Sequence, residues 1–296
     1  MDSFQSNPML QYHHMYIIFD IGGTNTRIAL SKDLETYETP IKYKTPLSYD
    51  EGLEKLKNTL EELVGSEQVT GLAGGIRGPL NPEKTGITNE VVLTDWVGRN
   101  ITGDLTEHFK APAYLENDTA IVGLGEAVYG AGKGHSIVAY HTVSTGVGGA
   151  RFVDSKLDRA TIGFEPGHQI LDIGRSILGS DIPHTLENLV SGASIEKRFG
   201  KKPYEVPQED PVWDELASYL AVGLRNTILY WSPDAIVLGG SMIVGDPRIL
   251  REDIIKHTEE ALNGFVPCPQ ILDATLKDEG GLYGGMALLK QHQNIK

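Results

Sequence analysis

Apolar positions along the chain change their period several times, and each change marks an element. Tyr16, Ile17, Ile18 and Phe19 run into Asp20, the chain turns through Gly22 and Gly23, and a second apolar run over 26–30 returns. Two such runs around a tight glycine turn predict a β-hairpin. The pattern recurs over 136–153, where the turn carries Ser144, Thr145, Gly146, Gly148 and Gly149. Residues 49–64 place Leu53, Leu56, Leu60, Leu63 and Val64 at helical spacing, with charge on the other face. A longer helix is expected over 211–231 from Val212, Leu216, Leu220, Leu224, Ile228 and Trp231. Behind Asn117 and Asp118, the spacing of Ala120, Ile121, Leu124 and Val128 predicts another, and two more fit 247–262 and 280–291. Short strands are expected around 41–44, over 69–73 with Gly74 and Gly75 opening a loop, before Glu116, and over 234–238 and 270–276.

Two similar hairpins in one chain suggest a duplicated architecture with a ligand held between two halves. A chain of 296 residues, 40% of them hydrophobic, can bury one large core or two moderate ones. The single cysteine, Cys268, excludes an intramolecular disulfide, and there is no paired-cysteine metal motif. A reducing, cytoplasmic compartment fits best. No apolar run reaches the ~20 residues of a membrane helix, and residues 1–14 read as a short disordered leader without a signal peptide's layout. A formal charge of −14 argues against nucleic acid as partner, because binding there relies on lysines and arginines to neutralise phosphates.

The hairpin turns carry the first candidate chemistry. Glycines let backbone N–H groups approach a bulky anion, so Gly22, Gly23, Thr24 and Asn25 can cradle phosphate while Asp20 faces a metal ion. An ordinary Gly-Gly hairpin explains the same residues. Asp118 is expected at a strand-to-helix junction, where it either caps the helix with Asn117 or points into a cleft. Gly78, in the loop over 74–81, is a close-approach residue or part of a Gly-Pro turn. Gly239 and Gly240 end a strand, as a turn or as a bed for a flat ring.

The runs DIGGT (20–24), END (116–118) and STGVGG (144–149), in that order, resemble the ROK family of sugar kinases and sugar-responsive repressors. The likeness extends over nearly the whole chain from Tyr16. It implies an α/β chain with the two-domain actin-like ATPase (ribonuclease H-like) fold, with duplicated βββαβα-type halves and a cleft between them. A small domain is expected over 15–115, joined by a C-terminal helix over 283–296, with a larger domain over 116–282. A homodimer is also implied.

For the site, the resemblance implies Asp118 as the general base and a sugar pocket of Gly78, Asn117, Asp118, Glu165, His168 and Glu187. Phosphates and nucleotide would lie on Asp20, Gly22, Gly23, Thr24, Asn25, Ser144, Thr145, Gly146, Gly148, Gly239 and Gly240, with Asp20 orienting Mg²⁺ through water. ATP would donate to a hexose hydroxyl, the 6-OH of glucose or a similar neutral hexose, or else to N-acetylmannosamine or N-acetylglucosamine. A sugar-sensing regulator is disfavoured, because residues 1–14 cannot form a helix-turn-helix. Two departures from the family stand out. Val92 occupies the place of an asparagine ahead of Trp96, and Leu178, Ser180 and Thr185 replace the cysteines of a structural zinc site. Without thiolates no zinc is expected, and packing by Leu171, Ile173, Ile177, Leu178 and Ile182 is expected to hold that segment instead.

Overall fold

The computed structural model describes residues 14–160 and 163–293. The leader expected over 1–14 therefore lies, His14 apart, outside the described residues, as do residues 294–296 of the closing helix. Strand β1 (Met15–Ile21) and strand β2 (Asn25–Ser31) form the first hairpin, with Ile21 opposite Thr26 and Asp20 opposite Arg27. Strand β3 (Ile41–Lys44) extends it beyond β2. Helix α1 (Tyr49–Val64) then leads to β4 (Val69–Ile76), which lies parallel to β1 on its other side. Helix α2 (Ile101–Phe109) leads to β5 (Ala113–Asn117), parallel to β4, and α3 (Asp118–Val128) follows directly.

The second half repeats this plan. Strands β6 (Ile137–Val143) and β7 (Val147–Val153) form the second hairpin, with the two-residue β8 (Lys156–Leu157) beyond β7. Short helices α4 (Leu186–Val190) and α5 (Gly192–Phe199) precede the long α6 (Val212–Trp231). Strand β9 (Ala235–Gly239) joins β6 in parallel. After α7 (Ser241–Val244) and α8 (Arg251–Leu262), β10 (Gln270–Asp273) joins β9 and α9 (Gly280–Gln293) closes the described chain. The sheet orders, β3-β2-β1-β4-β5 and β8-β7-β6-β9-β10, correspond strand for strand.

Three apolar clusters follow from this. One covers the first sheet beneath α1 and α2, and one covers the second beneath α6 and α8. The third joins Ile18 and Ala73 of the first sheet to Val138, Tyr140 and Phe152 of the second through Ile121, Leu124, Leu282 and Met286 on α3 and α9. Those two helices cross at backbone contact. A Cβ on Gly284 would lie 1.9 Å from the Ile121 carbonyl oxygen, so only glycine allows the approach.

The structure corrects several expectations. β4 runs on through Gly74 and Gly75 to Ile76, because both sit between two parallel neighbours in the sheet. A Cβ on Gly74 would meet the Phe19 carbonyl at 2.0 Å, so this glycine serves close packing within a strand and not a loop. Gly148 and Gly149 likewise belong to β7, and the second turn is confined to Ser144, Thr145 and Gly146. α8 starts at Arg251, and β10 stops at Asp273.

The segment over 169–186 is held differently from the apolar cluster expected. Leu178 is buried, and Leu171 and Ile182 pack partly against the core, but Ile173 is 84% exposed and Ile177 39%. The organising group is Asp172. Its carboxylate accepts N–H bonds from Leu178 at 2.9 Å, Ile177 at 3.1 Å and Ser176 at 3.0 Å, which hold it below the usual carboxylate range. Such bonds fix a loop without needing apolar area to bury. Among the described residues no three His, Cys, Asp or Glu side chains gather into a metal-holding group.

His141, on β6, is fully buried. Its Nε2 meets Thr227 Oγ1 at 3.0 Å while Nδ1 has no partner, and burial pushes the imidazole down to about 4. Between the free-histidine value of about 6.5 and about 4, the unfolded chain binds the extra proton and the fold does not. Stability from this group is therefore intact above pH 6.5 and is lost as pH falls toward 4, by about 3 kcal/mol. Urea unfolding of wild type and His141→Gln at pH 7.5, 5.5 and 4.5 should show a gap between them that narrows or reverses with acid. A pH-independent gap would mean that the histidine is not kept neutral.

Candidate active site

The site is built around the N-terminus of α3. Asn117 caps the helix, its Oδ1 accepting from Thr119 N at 3.0 Å and Ala120 N at 3.3 Å. Its Nδ2 donates to the Gly78 carbonyl at 3.0 Å, which ties the loop after β4 to the helix start. Asn117 is thus both cap and loop anchor, with one side-chain N–H left over. Glu116 is buried, accepts from Asn117 N and pairs with Lys84, so its part is structural.

Asp118 is the first residue of α3. Its Oδ1 accepts from Thr119 N at 2.7 Å, and burial raises its pKa against the pull of that bond and of the Arg77 guanidinium. Asp20 stands close by at the end of β1. Burial pushes its carboxyl up to about 6; Arg27 opposes this, and the charge of Asp118 adds to it. Arg27 holds Asp20 Oδ2 at 3.4 Å and reaches Asp278 at 2.9 Å with its other terminal nitrogen. The first turn, Gly22 to Thr24, is braced by Thr45, whose hydroxyl donates to Gly22 O at 2.7 Å and whose N–H donates to Thr24 O. Thr24 is exposed and Asn25 opens β2.

The second hairpin reaches the same helix start. A Cβ on Gly148 would lie 2.8 Å from Thr119 Oγ1, and one on Gly146 would lie 2.6 Å from Glu187 Oε2. That Glu187 oxygen accepts from Val147 N at 2.8 Å, so one half of the carboxylate braces the turn. Ser144 Oγ meets Ser241 Oγ at 3.1 Å, which brings the end of β9 to the turn. Gly240 has φ +87 and lies against the Val143 carbonyl and the Thr142 hydroxyl, at the end of β6. Gly239 is different: it is buried, and its missing Cβ makes room for the Tyr140 hydroxyl.

Glu165 precedes and His168 ends the short turn Pro166–His168, which Gly167 seats on the Val147 carbonyl. Both side chains are exposed. Desolvation by the surrounding protein raises the Glu165 carboxyl even so, His168 opposes that, and Glu187 and Asp118 raise it further, so these groups share one electrostatic neighbourhood. Gly78 takes φ +111, and a Cβ there would meet the Asn89 carbonyl at 2.9 Å.

Sequence reasoning missed two residues here, Arg77 and Glu90. Arg77 Nε donates to both Glu90 oxygens, at 3.2 and 3.1 Å, and its side chain lies over Gly23. A lone cation inside a glycine-rich loop was the available signal. Val92 borders Gly23 as well, at the edge of the first turn.

Comparison with known proteins agrees with this architecture. The model of the ROK family matches residues 16–292. A fructokinase of Pediococcus pentosaceus is 27% identical over 241 residues, covering 77% of this chain and 83% of its own. The crystal structure of a ROK hexokinase from Thermus thermophilus is 25% identical with a TM-score of 0.78, covering 94% of this chain and 99% of that one. A ROK glucokinase from Streptomyces griseus, in complex with glucose and AMPPNP, shares the fold at 23% identity and a TM-score of 0.71, with 94% and 99% covered. No helix among the described residues is long and apolar enough to cross a membrane. With one family model spanning both sheets and every part of the site, and with the actin-like fold of ROK sugar kinases, the chain belongs to the ROK family.

Proposed function

We propose that this protein transfers the γ-phosphoryl group of ATP to a hydroxyl of a neutral hexose, the 6-OH of glucose or a similar sugar. The observation that carries the reading is that both hairpins reach the first turn of α3, where Gly148 at the start of β7 lies against Thr119 and Asp20 at the end of β1 stands beside Asp118. A phosphate chain bridging the two turns would present its last phosphorus to the space in front of Asp118. The likeness to the Pediococcus fructokinase favours fructose as a second candidate acceptor.

In this mechanism Asp118 accepts the hydroxyl proton through Oδ2, since Oδ1 is held by Thr119 N. A carboxylate whose pKa is raised by burial is a better base than one in water. Glu165, His168 and the free oxygen of Glu187 would hold sugar hydroxyls, with the spare N–H of Asn117 and the backbone at Gly78 beside them. A site of directed polar groups that need hydroxyl partners rejects deoxy sugars strongly. The backbone and hydroxyls of Gly22, Gly23, Thr24, Asn25, Ser144, Thr145, Gly146 and Gly148 would hold the phosphates, and Gly240 would face the adenosine.

The donor set fits Mg²⁺. Asp20 is a largely buried carboxylate with one oxygen on Arg27 and with Asp118 and Asp278 repelling it, and Mg²⁺ is bound by one or two carboxylates together with substrate phosphates. Bound Mg²⁺ would draw charge off the phosphate oxygens. Asp20, with waters between, is the residue that would hold it.

Two outcomes test the reading. A coupled assay with ATP and Mg²⁺ over glucose, fructose, mannose, glucosamine and the two N-acetylhexosamines should find turnover with a neutral hexose. With that sugar, Asp118→Asn should lower kcat by about 10²-fold or more, the usual worth of a general base, while sugar affinity by calorimetry barely moves. Near wild-type turnover would remove Asp118 from the chemistry.

The second outcome concerns stability. The Asp20 carboxyl takes up a proton at about 6 in the fold and near 3.8 when unfolded, so its charge opposes folding increasingly as pH rises from 4 to 6 and fully at pH 7. In the metal-free protein Asp20→Asn should therefore raise unfolding free energy at pH 7 by about 1–3 kcal/mol, with the gain fading below pH 4. Urea denaturation in chelator measures it. A loss of stability at pH 7 would show that the Arg27 pair outweighs desolvation.

A further inference from the structure

The acids of the site are numerous and its cations are few. Asp20, Asp118, Glu165 and Glu187 share one electrostatic neighbourhood. Arg27 is committed at both terminal nitrogens, one to Asp20 and one to Asp278. Arg77 differs. Only its Nε is engaged, by the two oxygens of Glu90, and neither Nη1 nor Nη2 has a partner among the described residues. A guanidinium held by Nε alone presents its terminal fork outward, the geometry that suits two oxygens of one phosphoryl group.

The position of that fork is fixed from both sides. Arg77 N donates to the Ile21 carbonyl at 3.1 Å, where β1 gives way to the first turn, and the next residue, Gly78, is tied to the α3 cap through Asn117. A Cβ on Gly23 would lie 3.2 Å from Arg77 Cδ and 3.6 Å from Nη1, so the missing side chain leaves room for the arginine over the turn. Glu90 is itself immobilised. Its side chain is 7% exposed, and Oε1 accepts from Val91 N and Val92 N at 2.9 Å each.

Resting on the function proposed above, we infer that Arg77 binds the phosphoryl group in transit between nucleotide and sugar, and that Glu90 is the positioning residue that aims it. In the step, the sugar hydroxyl oxygen forms a bond to the γ-phosphorus as the bond from that phosphorus to the β–γ bridging oxygen breaks. ADP departs with that electron pair, and the hydroxyl proton passes to Asp118. Charge spreads over the equatorial and leaving oxygens as this happens, and a guanidinium lying over the first turn meets it there. The exposed end of Arg77, with 44% of its side chain accessible, is free to make those bonds.

The test compares wild type with Arg77→Ala, Arg77→Lys and Glu90→Gln, each first checked for an unchanged melting temperature. With a hexose that wild type phosphorylates, Arg77→Ala should lose about 10²–10³-fold in kcat, toward the lower range for arginines in phosphoryl transfer, with hexose KM within about threefold. Arg77→Lys should recover little, because an ammonium lacks the fork. Guanidinium chloride at millimolar levels should restore part of the Arg77→Ala rate, and methylammonium should not. Glu90→Gln should lower kcat less than Arg77→Ala. Calorimetry supplies an arm independent of turnover: MgADP should bind Arg77→Ala as it binds wild type, whereas MgADP with aluminium fluoride should bind at least about tenfold more weakly, the loss of a charge-assisted pair.

A wild type that phosphorylates no hexose defeats the kinase reading, and the aluminium fluoride comparison then decides Arg77 separately. Equal affinities in that comparison overturn the inference. So does an Arg77→Ala variant with normal kcat and a raised hexose KM, which would put the guanidinium on the sugar. Failure of wild type to bind MgADP at all defeats both.

Discussion

One side chain, Asn117, holds the site's parts in register. Its oxygen satisfies two of the orphan N–H groups at the start of α3, and its amide nitrogen secures the loop that carries Arg77 and Gly78. The cap sets the direction in which Asp118 leaves the backbone, because the next residue is the first of the helix. Thr119 then fits against Gly148, which couples the same helix end to the second hairpin. A displacement here would move Asp118, the loop of Arg77 and Gly78, and the start of β7 together.

The electrostatics explain why such bracing is needed. Several carboxylates crowd one space, and burial alone makes the charged form of Asp20 and Asp118 unfavourable. A fold left to itself would separate them or replace them with neutral groups. They are kept close by backbone elements with little freedom: a strand end, a helix start and turns whose glycines leave no room for rearrangement.

Much of this was legible in the sequence, and the parts that were not share a cause. The hairpins and the helix over 49–64 were readable because apolar period and turn chemistry agree there. β4 was cut short because Gly74 and Gly75 look like punctuation, although the chain uses them so that two backbones can lie close. The apolar residues of 169–186 were assigned to packing that Ile173 and Ile177 do not join, since the segment is organised by one carboxylate, Asp172, whose bonds to following N–H groups carry no period. Arg77 and Glu90 were missed because their pairing spans a loop with no regular spacing. Asp20 and Asp118 stand out in the sequence through short runs of residues, but their mutual influence is visible only in three dimensions.

The duplication gives the last step. Register pairs Asp20 with Arg27 in the first hairpin and the corresponding Thr142 with Gly148 in the second. One copy of the same ladder position therefore carries a charged pair, and the other carries a hydroxyl facing a glycine. A second Asp–Arg pair would collide with Thr119, which occupies the space over Gly148, and would add another acid to a site already rich in them. α3 seats Thr119 over Gly148 of the second hairpin, while its first residue, Asp118, stands beside Asp20 of the first. The two hairpins thus meet the start of α3 differently, one with a carboxylate held by Arg27 and the other with a glycine that leaves room for Thr119.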